Sequence, residues 1–131
     1  GSVAKITHMN RSRTSRGKVL EGFHKGEQTG LKTANLDPKI AIEAKLPKGL
    51  YNCEVLLKQD ELKKNYQGLL YYGYNSLAKK DTLEVHILNF SQDIYGKELE
   101  LKTQRYIRTP KKFISIKKLS EQMKKDLEMT Q

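Results

Sequence analysis

Hydrophobic and polar positions alternate in short runs along most of this chain, and only the last stretch changes period. The clearest run is 82–90, TLEVHILNF. Side chains along a strand point to opposite faces in turn. Leu83, Val85 and Ile87 therefore fall on one face, and Glu84, His86, Leu88 and Phe90 on the other. Residues 98–107, ELELKTQRYI, alternate likewise with Leu99 and Leu101 inward, and Pro110 stops them. Residues 50–57 and 66–74 read as strands, the second rich in tyrosines that join apolar area to a polar tip. Val19 and Leu20 support a short strand over 17–24. Ile40 and Ile42, alternating with Ala41 and Glu43, support another near 39–45. Turn-forming residues separate the runs: Asp37-Pro38, Leu46-Pro47-Lys48-Gly49, a loop over 75–81, and Ser91 to Lys97. Residues 58–64 read as a charged hairpin connection, with a short helix as the alternative. Near the C-terminus, Ile116, Leu119, Met123 and Leu127 form one apolar stripe at helical spacing behind a Ser115 N-cap, which docks a helix onto the rest. Six short strands and one helix predict a mainly all-β domain, a small antiparallel barrel.

Composition narrows the class. A chain of 131 residues suits one domain with its own core. With 37% apolar and 31% charged residues it is polar but foldable. No apolar run approaches the ~20 residues of a membrane helix. The single cysteine, Cys53, excludes an internal disulfide framework and a Cys-only zinc site, and fits a reducing, cytoplasmic setting. Gly1-Ser2 and His8-Met9 look like a protease scar and a cloning junction. Residues 1–9 are therefore read as a tag or linker remnant and 10–131 as the domain. Lys and Arg total 25 against 15 Asp and Glu, a net charge of +10 concentrated in 1–18 and 105–125. That surplus suits a polyanion, but it equally suits a plain lysine-rich surface.

Among motifs that carry chemistry, G-x-x-x-x-G-K-[ST], G-x-S-x-G and H-E-x-x-H are all missing, and His8, His24 and His86 lack metal-ligand spacing. Two local features remain. In GFHKGEQTGLKTAN, Gly22, Gly26 and Gly30 precede Thr33 and Asn35. Such a loop can offer backbone N–H groups to phosphate oxygens, while a hydroxyl and an amide carbonyl help hold hydrated Mg²⁺. The plainer reading, a glycine-rich hairpin loop capped by Thr33 and Asn35, is favoured on these residues alone. The second feature is Glu84-Val85-His86, where a partly desolvated carboxylate could take a proton from a substrate hydroxyl. Alternation alone favours two ordinary exposed residues on the outer sheet face.

In order along the chain, these segments resemble the riboflavin kinase (flavokinase) family, most closely the kinase module at the C-terminus of bacterial bifunctional riboflavin kinase/FAD synthetases. The carrying motifs are Gly30-Leu31-Lys32-Thr33-Ala34-Asn35, Leu46-Pro47-Lys48-Gly49-Leu50-Tyr51, Glu84-Val85-His86-Ile87-Leu88-Asn89-Phe90, Asp93-Ile94-Tyr95-Gly96, and Ile107-Arg108 with Lys112-Phe113 before the closing helix. The resemblance spans 17–128. It implies a six-stranded antiparallel Greek-key barrel closed by a C-terminal helix. It also implies transfer of the ATP γ-phosphoryl to the terminal ribityl hydroxyl of riboflavin, giving FMN. Under it, Glu84 is the catalytic carboxylate. Gly22, Lys25, Gly26, Gly30, Lys32, Thr33 and Asn35 bind the nucleotide, Thr33 and Asn35 with Mg²⁺, while Arg108, Phe113 and Met123 cover the flavin. Riboflavin and ATP are the expected partners, with an N-terminal adenylyltransferase domain in a longer protein.

Some positions depart from the family pattern. Lys32 replaces a proline, Glu27 replaces a basic or small residue, and Pro110 stands where glutamate is frequent. Tyr72-Gly73-Tyr74-Asn75-Ser76 lacks the proline and threonine usual in the flavin-side loop. These changes keep open a divergent module that binds flavin or nucleotide with little turnover. Nucleic acid is not an expected partner, because Tyr66, Tyr71, Tyr72 and Tyr74 interleave with little basic charge. No separate nucleotide-binding βα unit is visible, so FAD synthesis is not expected of this chain alone.

Overall fold

The computed structural model describes residues 11–20, 32–59, 62–76, 78–90, 92–108 and Glu121. Six strands hold most of them: β1 Thr14–Lys18, β2 Lys32–Leu36, β3 Gly49–Gln59, β4 Leu62–Asn75, β5 Lys80–Ile87 and β6 Glu98–Arg108. All pair antiparallel in one sheet of order β1-β6-β3-β4-β5-β2. β3, β4 and β5 follow one another as neighbours, and β6 returns to lie beside β3, which is a Greek key. β1 and β2 extend it at its two ends. The sheet curls until these edges meet. The Val19 N–H donates to the Lys97 carbonyl at 2.8 Å, and the Leu20 N–H donates to Asn35 of β2 at 2.7 Å. Within two residues the chain passes from one edge to the other, and the Leu20–Asn35 bridge joins them.

The inner face is apolar. Leu83, Val85 and Ile87 are at most 1% exposed, and Leu99 and Leu101 lie with them in the main core, as alternation predicts. Burying each such side chain stabilises the fold by about 1.5–3 kcal/mol. Gly68 allows β4 and β5 to approach closely, since a Cβ there would lie 2.8 Å from the His86 carbonyl oxygen.

Several element boundaries differ from those predicted. Residues 39–45 do not form a strand; Lys39–Glu43 is a short helix, α1. The Asp37 carboxylate accepts from the Lys39 N–H at 3.0 Å, and the Pro38 carbonyl accepts from Ala41 and Ile42. The isoleucine alternation misleads because Ala41 is the residue buried, at 2%, while Ile42 is 61% exposed. Ile40 packs over Gly17, where a Cβ would collide with its Cδ1. The first strand lies earlier than 17–24, at Thr14–Lys18, and LKTANL contributes β2. β3 and β4 run through most of the predicted 58–64 connection, to Gln59 and from Leu62. The 75–81 loop shrinks likewise, since β4 reaches Asn75 and β5 starts at Lys80, with Lys79 at φ 56° in the turn. The closing C-terminal helix lies outside the described residues except for Glu121, which is helical. No helix among the described residues is long and apolar enough to cross a membrane.

Candidate functional site

β2 and β5 pair in a register that sets Thr33 opposite His86 and Asn35 opposite Glu84. Directly opposed residues share a face, so these four side chains form a square on the face away from the main core. β4 adds Tyr71 opposite Glu84 and Leu69 opposite His86. Leu50, Leu69 and Tyr71 form a second, smaller apolar cluster there, with Ile107 against it. Thr33 and Asn35 are therefore strand residues rather than caps of a glycine loop.

This face is not an exposed outer surface. Glu84 is 3% exposed and His86 is fully buried, so the reading favoured by alternation is wrong for both. Alternation assigns side chains to faces but says nothing of what covers a face.

The Glu84 carboxylate is held by neutral donors. Its Oε2 accepts from the Thr82 hydroxyl at 3.0 Å and from the Asn75 amide at 3.2 Å. The Asn75 amide oxygen accepts from the Ala78 N–H at 3.2 Å, which turns the amide nitrogen toward Glu84. Among the described residues no cation pairs with Glu84, and both bonds fall on Oε2, leaving Oε1 for another donor. Buried carboxylates are tolerated when hydrogen-bonded in this way. The Tyr71 hydroxyl donates to the Tyr74 carbonyl. Burial, and then the charges of Glu84 and Asp81, push its phenol above the usual value of 10.0, so Tyr71 stays neutral beside the carboxylate. His86 Nδ1 lies 3.0 Å from the Thr33 hydroxyl oxygen.

Three of the four side chains of the square carry oxygen donors. The Thr33 hydroxyl, the Asn35 amide oxygen and the Glu84 carboxylate are oxygen donors of the type Mg²⁺ prefers. No group of three His, Cys, Asp or Glu side chains suited to a metal occurs among the described residues.

The registers also put Arg108 in line with the square. Asn35 pairs with Glu84, Glu84 with Tyr71, Tyr71 with Leu50, and Leu50 with Arg108. One row thus crosses five strands, and the Arg108 backbone lies three strand spacings, or ~14 Å along the curved sheet, from Glu84. The Arg108 side chain lies outside the described residues, as do Gly22, Lys25, Gly26, Gly30, Phe113 and Met123.

Two departures from the family pattern find structural accommodation. Lys32 is the first residue of edge strand β2, a place where proline is also tolerated, so the exchange spares the ladder. Tyr72–Ser76 lacks the usual residues but supplies Asn75 to Glu84. Sequence reasoning missed Asn75, Thr82 and Tyr71 as parts of the site. Thr82 was within reach, because the same alternation puts 82 on the face of 84 and 86; Asn75 and Tyr71 emerge only from the β4–β5 register.

The family model described as Flavokinase: Riboflavin kinase matches residues 9–131. The chain is 34% identical over 115 residues to the trifunctional protein RibF/MnmA of Mycoplasmoides gallisepticum, covering 85% of this chain and 16% of that protein. It is 32% identical over 117 residues to the bifunctional riboflavin kinase/FMN adenylyltransferase of Listeria monocytogenes, covering 86% of this chain and 35% of that protein. The chain therefore spans roughly a third or less of the length of these curated relatives. The crystal structure of riboflavin kinase from Trypanosoma brucei matches with a TM-score of 0.58 at 21% identity, over 91% of this chain and 74% of that one, a likeness of fold. A Streptococcus pneumoniae structure described as a macrolide-efflux protein matches with a TM-score of 0.59 at 30% identity, over 89% of this chain and 38% of that one.

Proposed function

The chain belongs to the riboflavin kinase family, and on that premise we propose that it transfers the γ-phosphoryl group of ATP to the terminal ribityl hydroxyl of riboflavin, giving FMN and ADP. The observation that carries this reading is the square of Thr33, Asn35, Glu84 and His86, with a buried carboxylate held by neutral donors beside hydroxyl and amide oxygens. Phosphoryl transfer needs positioning, charge neutralisation and a group to orient the nucleophile. The ribityl hydroxyl donates to Glu84 Oε1. Its oxygen forms a bond to the γ-phosphorus as the bond to the β–γ bridging oxygen breaks, its proton passes to Glu84, and ADP leaves.

Thr33 and Asn35 would hold Mg²⁺, which when bound supplies positive charge to the phosphates. Gly22, Lys25, Gly26, Gly30 and Lys32 complete the nucleotide side. Arg108, at the far end of the row that crosses the sheet, serves the flavin together with Phe113 and Met123. A longer protein with an adenylyltransferase domain is the proposed setting, supported by the bifunctional name of the Listeria relative. The lone, buried Cys53 suits a reducing cytoplasm.

The test is FMN formation from riboflavin and Mg-ATP, followed by chromatography beside Glu84→Gln. The amide is nearly isosteric but cannot take the proton, so turnover should fall by about 10²–10⁴-fold while flavin binding persists. A wild-type protein that binds flavin and ATP without making FMN overturns the kinase reading and leaves a binding module. Equal turnover in the two proteins removes Glu84 from the reaction.

A further inference from the structure

We propose that His86 is a positioning residue for the cation at Thr33: its Nδ1 accepts the Thr33 hydroxyl proton and so turns the lone pairs of that oxygen toward the cation. The inference rests on the Mg-nucleotide reading of Thr33 and adds a residue and a protonation pattern to it.

A threonine hydroxyl has one proton and two lone pairs. To bind a cation it must present a lone pair and send its proton elsewhere. The acceptor that His86 offers is 3.0 Å away, at Nδ1. The opposite arrangement, Nδ1–H donating to the hydroxyl oxygen, would occupy one of the two lone pairs and leave the hydroxyl proton with no acceptor on His86 to hold it away from the cation. The tautomer with its proton on Nε2 is therefore the one that serves.

The fold holds this contact in place. Thr33 and His86 are register partners across β2 and β5, and Leu69 opposes His86 from β4. Gly68 admits the His86 carbonyl at a distance that a Cβ would forbid. A leucine at 86 would fill similar volume with no polar group to satisfy, so packing alone does not account for an imidazole here. Partners of metal ligands commonly govern ligand orientation, and losing one costs about 10–100-fold in affinity or activity.

The experiment reads cation binding rather than turnover. ADP is titrated by calorimetry with and without Mg²⁺, and Mn²⁺ binding to the protein–ADP complex is read from the electron paramagnetic resonance of free Mn²⁺. Three variants are compared. His86→Asn places an amide oxygen near the position of Nδ1 and keeps an acceptor. His86→Gln reaches toward the position of Nε2, and His86→Leu has no acceptor. Mn²⁺ affinity should fall by about 10–100-fold in the glutamine and leucine variants and stay near wild type in the asparagine variant. Should the leucine variant unfold, the asparagine–glutamine contrast decides by itself.

Equal Mn²⁺ affinity in all folded variants overturns the role of His86, as does an order that follows side-chain volume. A wild-type protein whose ADP affinity ignores divalent cations overturns the cation reading of Thr33 itself. That result is distinct, because it appears before any variant is made.

Discussion

The two faces of β5 are equally buried and chemically opposite. Leu83, Val85 and Ile87 enter the main core, while Thr82, Glu84 and His86 are 8%, 3% and 0% exposed on the other face. On the first face the side chains ask nothing of their neighbours beyond contact. On the second, specific atoms are engaged: Thr82 and Asn75 donate to Glu84 Oε2, and His86 Nδ1 lies within hydrogen-bond distance of the Thr33 hydroxyl. Replacing buried polar or charged groups with well-packed apolar ones is often neutral or stabilising. A polar face this dry is therefore not what stability alone would select, and it is where chemistry is expected. Substitutions on the two faces should separate stability from activity.

The largest contrast comes from moving the carboxylate by one residue. Val85→Asp would put it on the inner face, fully buried between its register partners Ala34 and Leu70 in the main core, without the donors that surround Glu84. An unpaired buried charge costs several kcal/mol, against a total stability of about 5–15 kcal/mol. This variant should give no cooperative unfolding transition by circular dichroism. A transition within about 2 kcal/mol of the parent, a small part of the usual total, would mean that the inner face is not dry. The next contrast is Ile87→Ala, which truncates an inner side chain that is 1% exposed, one residue from His86. It should cost about 2–5 kcal/mol in urea unfolding, with kcat per folded molecule nearly unchanged. A loss of kcat without a loss of stability would merge the two faces into one functional unit.

The inner face was legible because period two survives in Leu83-x-Val85-x-Ile87 and Leu99-x-Leu101, and each run is long enough to show it. β2 was not. KTANL has one large apolar residue, and its strand character comes from pairing with β5 rather than from its own composition. α1 was misread because two isoleucines two apart imitate a strand, whereas the Asp37-Pro38 start organises a helical turn that buries Ala41. The family pattern put Thr33, Asn35 and Glu84 into one site, but their placement in a square depends on a register across 53 residues of chain at Thr33–His86. The bonds that hold Glu84 belonged to no motif, since Asn75 reaches it only by way of the β4–β5 hairpin.

The smallest contrast lies within the inner face, at its one ionisable sulfur. Burial pushes the Cys53 thiol up from its ordinary 9.0 to about 12; a hydrogen bond from the Lys102 backbone opposes this and the Glu54 charge adds to it. Tyr51 behaves alike, raised from 10.0 to about 12 mainly by burial. A raised folded value means that the fold favours the protonated form. The stability linked to Cys53 is thus complete below pH 9, declines as the unfolded thiol ionises, and is lost as pH passes 12. Tyr51 adds a decline that starts near pH 10. Urea midpoints should therefore fall from pH 9 upward, and Cys53→Ala should abolish the fall between pH 9 and 10 and lessen, without removing, the fall above pH 10. Parallel curves for the two proteins would show that the thiol ionises as freely inside the fold as outside it, and that the core around Cys53 admits water.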